Sequence, residues 1–221
     1  MLSLLRFNRV GITVRMQRLL PASFVAAMNR SQTKNSVRII GGELRSRRID
    51  FPSLPGLRPT GDRIRETLFN WLQGEIRDAR CLDLFAGSGV LGFEAASRGA
   101  STVRMLDHSP EVVARLEDNV RRLQLDRVHI TRADSLAWLE QASEEQFDIV
   151  FVDPPFAEQL LVRSCAALAT SGKLAKRALL YLESAQELAP EQLPQDWTVL
   201  KSKKSGAVYY YLLQSGETAQ R

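Results

Sequence analysis

From Arg80 onward, short apolar runs alternate with longer stretches in which apolar positions recur every three or four residues. The runs "RCLDLFA", "STVRMLD", "RVHITRAD", "FDIVFVD" and "ALLYLES" read as buried strands. Between them, "SGVLGFEAASRG" predicts a helix closing on Gly99, and "SPEVVARLEDNVRRLQL" a helix capped by Ser109 with Pro110 in its first turn. Leu136 to Gln141 predicts a short helix, and "EQLLVRSCAALAT" a fourth. The stretch "WTVLKSKKSGAVYYYLL" departs from the alternation, and predicts an antiparallel hairpin turning tightly at Ser205-Gly206.

Strands separated by helices of this length require a parallel sheet with right-handed crossovers and cover on both faces. The expected fold is a doubly wound α/β sheet with an antiparallel C-terminal hairpin at one edge. Ahead of it, "VRIIGGELRSRRIDF" predicts a small hairpin around Gly41-Gly42, and "GDRIRETLFNWL" a helix with Ile64, Leu68, Trp71 and Leu72 on one face. The expected division is an arm over 1–36, a hairpin-and-helix extension over 37–75, the sheet domain over 76–214 and a tail over 215–221.

Composition fits one globular domain: 221 residues, 44% hydrophobic and 25% charged. Cys81 and Cys165 sit in apolar surroundings without CxxC spacing, which points to buried thiols in a reduced, cytoplasmic protein. His108 and His129 share no metal-ligand spacing, so no metal is expected. The net charge of +5 is uneven: residues 1–65 hold 13 Lys plus Arg against 3 Asp plus Glu, with no acid before Glu43. That basic entry segment points to a polyanionic partner. Residues 1–36 have the acid-free, Arg-containing composition of a transit peptide; a disordered arm, or a start at Met16 or Met28, is the preferred reading. No run approaches the roughly 20 apolar residues that span a bilayer, so no membrane association is expected.

"DLFAGSGVLG" places Gly87, Gly89 and Gly92 in a GxGxxG loop at the end of the first sheet strand. Such a loop brings backbone close to a ligand at a helix N-terminus, and alone it is a weak signal. Asp107, at the tip of the next strand, could accept both hydroxyls of any adenosine ribose, which leaves nicotinamide cofactors and S-adenosylmethionine open. Asp83 could order the loop amides or meet a cationic amino group. Asp134 is placed to accept from an adenine amine, with the amides of Ser135 and Leu136 nearby. Three acids at successive strand tips suit a cationic, adenosine-bearing ligand better than a pyrophosphate.

"DPPF", Asp153 to Phe156, follows the fourth strand at the same edge. An acid, two prolines and a ring form a holder for a flat group bearing NH2: the Asp153 carboxylate accepts one N–H, the Pro154 carbonyl accepts the other, Pro155 stiffens the loop and Phe156 offers a stacking face.

With these motifs the chain resembles the RsmD family of bacterial 16S rRNA methyltransferases, from about Val37 to Leu213. The stretches that carry the likeness are "RIIGGELRSRRI", "GLRPTGDRIRETLFNWL", "LDLFAGSGVLGFEAASRGA", "DIVFVDPPF" and "LYLES". The resemblance implies a Rossmann-like class I methyltransferase with a seven-stranded sheet, and methyl transfer to the N2 amine of guanine 966 in 16S rRNA of the small ribosomal subunit. It implies that Asp83, Phe85, Gly87, Gly89, Asp107 and Asp134 bind S-adenosylmethionine, with His108 and Ser135 beside them. His108 has no assigned role. Asp153 to Phe156 would hold the guanine, while Arg58 and Thr60 close over the methionine end or the base.

In that light Arg38, Arg45, Arg47, Arg58, Arg63 and Arg65 read as RNA contacts, Arg45 and Arg47 sharing one hairpin face and Arg48 the other. Lys201, Lys203 and Lys204 are weaker candidates. Expected partners are 16S rRNA, within the small subunit or an assembly intermediate, for an enzyme acting as a monomer. The alternatives are a DNA or tRNA amino-methyltransferase, a non-catalytic RNA-binding assembly factor and, last, a nicotinamide oxidoreductase.

Overall fold

The structure, a computed structural model, describes residues 35–155 and 158–217. The expected arm, as far as residue 34, and Phe156 lie outside the described residues. Strands β1 (Asn35–Arg38) and β2 (Arg48–Phe51) pair antiparallel and are followed by helix α1 (Asp62–Trp71). Then come β3 (Arg80–Asp83), α2 (Val90–Ser97), β4 (Thr102–Asp107), α3 (Pro110–Leu123), β5 (Val128–Arg132) and α4 (Ser135–Leu139). The chain continues through β6 (Phe147–Val152), α5 (Glu158–Thr170), β7 (Leu174–Ser184), β8 (Thr198–Ser205) and β9 (Val208–Gln214).

β3 to β9 form one seven-stranded sheet in the order β5-β4-β3-β6-β7-β9-β8. The first five strands are parallel; β9 runs antiparallel to β7, and β8 to β9. The chain moves outward from β3 to β5, then returns to β6 on the other side of β3. That reversal splays the loops after β3 and β6 apart and opens a crevice at the carboxyl edge.

The strands are nearly continuous apolar runs because both faces are covered. On β6, Ile149 and Phe151 pack with Ile64 and Leu68 of α1, Phe93 of α2 and Leu116 of α3. Val150 and Val152 face the other way, toward Trp138 of α4 and Leu161 and Cys165 of α5. Both cysteines are buried and unpaired, and burial pushes both thiols up in pKa. Helix α3 starts as its sequence dictates: the Ser109 hydroxyl accepts from the Val112 amide at 3.3 Å, with Pro110 opening the first turn.

Several boundaries differ from the sequence expectation. The C-terminal hairpin turns at Gly206-Ala207, because Ser205 already pairs with Val208. β7 starts at Leu174, before "ALLYLES", and α4 starts at Ser135. The N-terminal hairpin does not turn at Gly41-Gly42: residues 39–47 connect its strands and fold down onto α2. There the Ser97 hydroxyl donates to the Gly41 carbonyl at 2.5 Å and accepts from the Leu44 amide at 2.9 Å. Side-chain alternation therefore does not sort Arg45 and Arg47 from Arg48, since the first two lie in this connection and outside any strand. On α1, Trp71 is only half-buried, whereas Arg65 and Phe69 join Ile64 and Leu68 inside.

Candidate active site

The parallel strands deliver Asp83, Asp107, Asp134 and Asp153 to one edge of the sheet, each at or just beyond a strand's carboxyl end. Asp107 is occupied with the glycine loop. Its Oδ2 accepts from the Gly87 amide at 3.0 Å and its Oδ1 from the Ser109 amide at 2.8 Å, which fixes the turn and the start of α3 together. Each carboxylate oxygen keeps a further lone pair, so the residue can still accept from a ligand. The glycines divide their work. A Cβ at Gly89 would come within 3 Å of Leu116, Phe93 and Met105, so Gly89 is needed for packing beneath the loop. A Cβ at Gly87 would make only ordinary contacts, the nearest with the Leu57 side chain at 3.6 Å, so there glycine serves the positive φ of the turn.

Asp83 is 2% exposed and accepts from the Gly92 amide in α2 at 3.1 Å. Burial pushes its carboxyl up to about 7, the Gly92 amide opposing and the nearby Asp107 charge adding to the rise. Among the described residues it has no ion-pair partner, so it can accept from a cation entering the crevice. Asp134 is exposed and caps α4, accepting from the Ala137 amide at 2.9 Å through one oxygen and leaving the other free. The Ser135 hydroxyl is committed to the Leu84 carbonyl at 2.5 Å and holds α4 to the end of β3. Phe85 is half-buried against the α4–α5 side of the core. The His108 side chain is largely exposed, 3.7 Å from Asp107, with no other contact that would give it a role.

On the other side of the switch point, Asp153 leaves β6 with Pro154 buried and Pro155 exposed. Among the described residues the Pro154 carbonyl receives no hydrogen bond. The Thr60 hydroxyl, on the segment before α1, donates to Asp153 Oδ2 at 3.5 Å. Burial raises the Asp153 carboxyl well above its ordinary range, with Glu183 and Asp83 adding like charge. Glu183, near the end of β7, is a site residue that sequence reasoning missed. Its signal was an acid closing the apolar run "ALLYLES", two positions after Tyr181.

Of the arginines read as RNA contacts, Arg38, Arg45, Arg47, Arg58 and Arg63 are exposed on the extension, and Arg38 lies 3.8 Å from Asp62. Arg65 is not among them. Its side chain is fully buried and paired with buried Glu94 at 2.6 Å, so no phosphate can reach it. Arg65 Nε donates to the Thr60 carbonyl at 3.0 Å, which places Thr60 beside Asp153.

With this geometry in hand, residues 37–214 match the family model described as Conserved hypothetical protein 95. The Ribosomal RNA small subunit methyltransferase D of Escherichia coli strain K12 is 43% identical over 178 residues, covering 80% of this chain and 89% of the relative. The chain belongs to this methyltransferase family. A solved Escherichia coli chain, yhhF, superposes with a TM-score of 0.76 at 41% identity, covering 83% of this chain and 100% of that one. At 16% identity and a TM-score of 0.59, SMU.776, solved in complex with SAH, shares the fold over 75% of this chain and 53% of its own. The fold is therefore that of a Rossmann-like class I methyltransferase, as expected from the order of the strands.

Proposed function

We propose that this chain transfers the methyl group of S-adenosylmethionine to the N2 amine of guanine 966 in 16S rRNA, acting as a cytoplasmic monomer on the small ribosomal subunit or an intermediate of its assembly. The family carries the coarser statement, that it is an S-adenosylmethionine-dependent rRNA methyltransferase. The position of Asp153, just past β6 at the sheet's switch point, supports transfer to a ring amine, and the choice of guanine 966 rests on the likeness to the family.

The residues present fit the cofactor. Bound S-adenosylmethionine supplies an electrophilic methyl on a positively charged sulfur. Asp83, a buried carboxyl with no counter-charge among the described residues, is placed to accept from its ammonium. The loop at Gly87, held by Asp107, gives room for close approach to backbone. The free oxygen of Asp134 can accept from the adenine amine, and Phe85 is assigned to the cofactor from the likeness to the family. Asp153 and the Pro154 carbonyl accept the two N–H groups of the guanine amine, and Phe156 is assigned from sequence to stack on the base. Two acceptors draw the nitrogen lone pair out of conjugation and aim it at the methyl, so placement does much of the catalysis. The exposed Arg38, Arg45, Arg47, Arg58 and Arg63 bind RNA phosphates. Among the described residues no helix is long and apolar enough to cross a membrane.

Labelled methyl incorporation into rRNA, tRNA and DNA, followed by mass mapping of 16S rRNA, tests the proposal. Label on one 16S guanine is expected. Label confined to tRNA or DNA would overturn the substrate, and failure to bind S-adenosylmethionine would overturn the activity.

A further inference from the structure

Glu183 has no part in the reading above, yet it stands beside the reacting group. Leu182 pairs with Val152 across β7 and β6, so Glu183 and Asp153 are the next residues along two adjacent parallel strands. Alternation turns both to one face: Asp153 is two past Phe151, Glu183 is two past Tyr181, and those rings meet with centroids 6.4 Å apart. Asp83 pairs with Phe151 from β3, at the same edge. Glu183 is 8% exposed. Among the described residues neither it nor Asp153 is in an ion pair.

Each carboxyl also accepts from one hydroxyl. Tyr181 Oη donates to Glu183 Oε1 at 2.8 Å. The Thr60 hydroxyl donates to Asp153 Oδ2 at 3.5 Å. Two carboxylates at neighbouring positions on adjacent strands, both largely out of water, do not readily ionise together.

We propose that Asp153 and Glu183 form a proton-sharing carboxyl pair, and that this pair receives the proton released by the substrate amine. This rests on the guanine-amine reading. Asp153 touches the substrate; Glu183 acts through it and is a positioning residue. As the amine nitrogen bonds the methyl carbon, the S–C bond breaks and its electron pair stays on sulfur, leaving a neutral thioether. The nitrogen carries the positive charge until one N–H bond breaks and its pair returns to nitrogen. The proton passes to Asp153, is shared with Glu183 and leaves to water with the product. The groups facing the pair are Asp83 on β3, Tyr181 on β7, Tyr210 on β9 and Thr60 ahead of α1; Arg65 on α1 donates to the Thr60 and Arg38 carbonyls and is paired with Asp62 and Glu94. Burial holds both carboxyls above their ordinary range, and the Glu183 charge adds to the rise at Asp153.

Glu183→Gln tests the pair, since it keeps an acceptor for Tyr181 and removes the charge. Carboxyl carbon NMR titration of the cofactor-free, full-length wild type is expected to show Asp153 and Glu183 titrating as a coupled pair. In the variant, Asp153 should titrate alone, at a pH lower by about one unit or more. In single-turnover methyl transfer to 16S rRNA, the acid limb of the rate should move the same way, and the plateau should fall at least about tenfold with RNA affinity within about twofold. Uncoupled titration in a wild type that methylates rRNA, or a fall in rate with the acid limb unmoved, would overturn the pair alone. Coupled titration in a wild type that transfers no methyl to RNA would overturn the guanine reading, and the acceptor role with it.

Discussion

Arg65 and Glu94 meet at 2.6 Å with neither side chain reaching solvent, and that contact ties the segment bearing Thr60 to the helix after the glycine loop. Arg65 also donates to the Arg38 carbonyl at 3.0 Å, while Glu94 accepts from the Ile40 amide at 2.6 Å and from Arg98 at 3.2 Å. The N-terminal extension is thus held to the catalytic sheet by a satisfied buried network. Removing one partner leaves an uncompensated buried charge, so Arg65→Met should lower stability by about 3–5 kcal/mol in urea unfolding. Arg65→Lys should recover little, because an ammonium cannot reach the Thr60 carbonyl, the Arg38 carbonyl and Glu94 together.

Asp153→Ala separates holding the amine from holding the cofactor. Methyl transfer should fall at least about a hundredfold, the scale of losing a group that acts on the reacting atom. Calorimetry should find S-adenosylmethionine affinity changed by less than about threefold, since the proposed cofactor contacts lie on the loops after β3, β4 and β5. Retained turnover would remove Asp153 from its role.

The parallel sheet was legible because its strands are short, apolar on both faces and separated by stretches with helical spacing. Pro110 and Ser109 announced α3 for the same local reason. What escaped was set by contacts distant in sequence. Arg65 looks like any solvated helix arginine until Glu94, 29 positions away, is seen to neutralise it. The connection 39–47 looks like a glycine turn, but Ser97 of α2 draws it down. Glu183 reads as the polar end of a strand, and only the register of β7 on β6 brings it to Asp153.

The exposed arginines allow a test that separates RNA from cofactor. Replacing Arg45, Arg47 and Arg58 together with Ala should weaken rRNA binding and flatten the slope of log affinity against log salt by about two to three units, close to one per lost phosphate contact. Cofactor affinity should stay at the wild-type value. An unchanged salt slope would move the RNA face elsewhere, the exposed Lys201, Lys203 and Lys204 on β8 being the next place to look.

Asp83 should leave a signature in stability against pH. Its folded carboxyl titrates at about 7, above the unfolded value, chiefly because burial disfavours the charge. Between about pH 4 and pH 7 the folded state therefore keeps a proton that the unfolded chain has released. Its contribution is most favourable below that window and declines as pH rises through it. Asp83→Asn cannot ionise and still offers an oxygen to the Gly92 amide, so it should lack this decline. The variant's stability relative to wild type should grow with pH by a few kcal/mol and level off above about pH 7, as read by urea unfolding. Cofactor binding should move oppositely: an ammonium beside Asp83 favours the ionised form, so the affinity lost in Asp83→Asn should be larger at pH 8 than at pH 6. A loss independent of pH would place the ammonium away from Asp83.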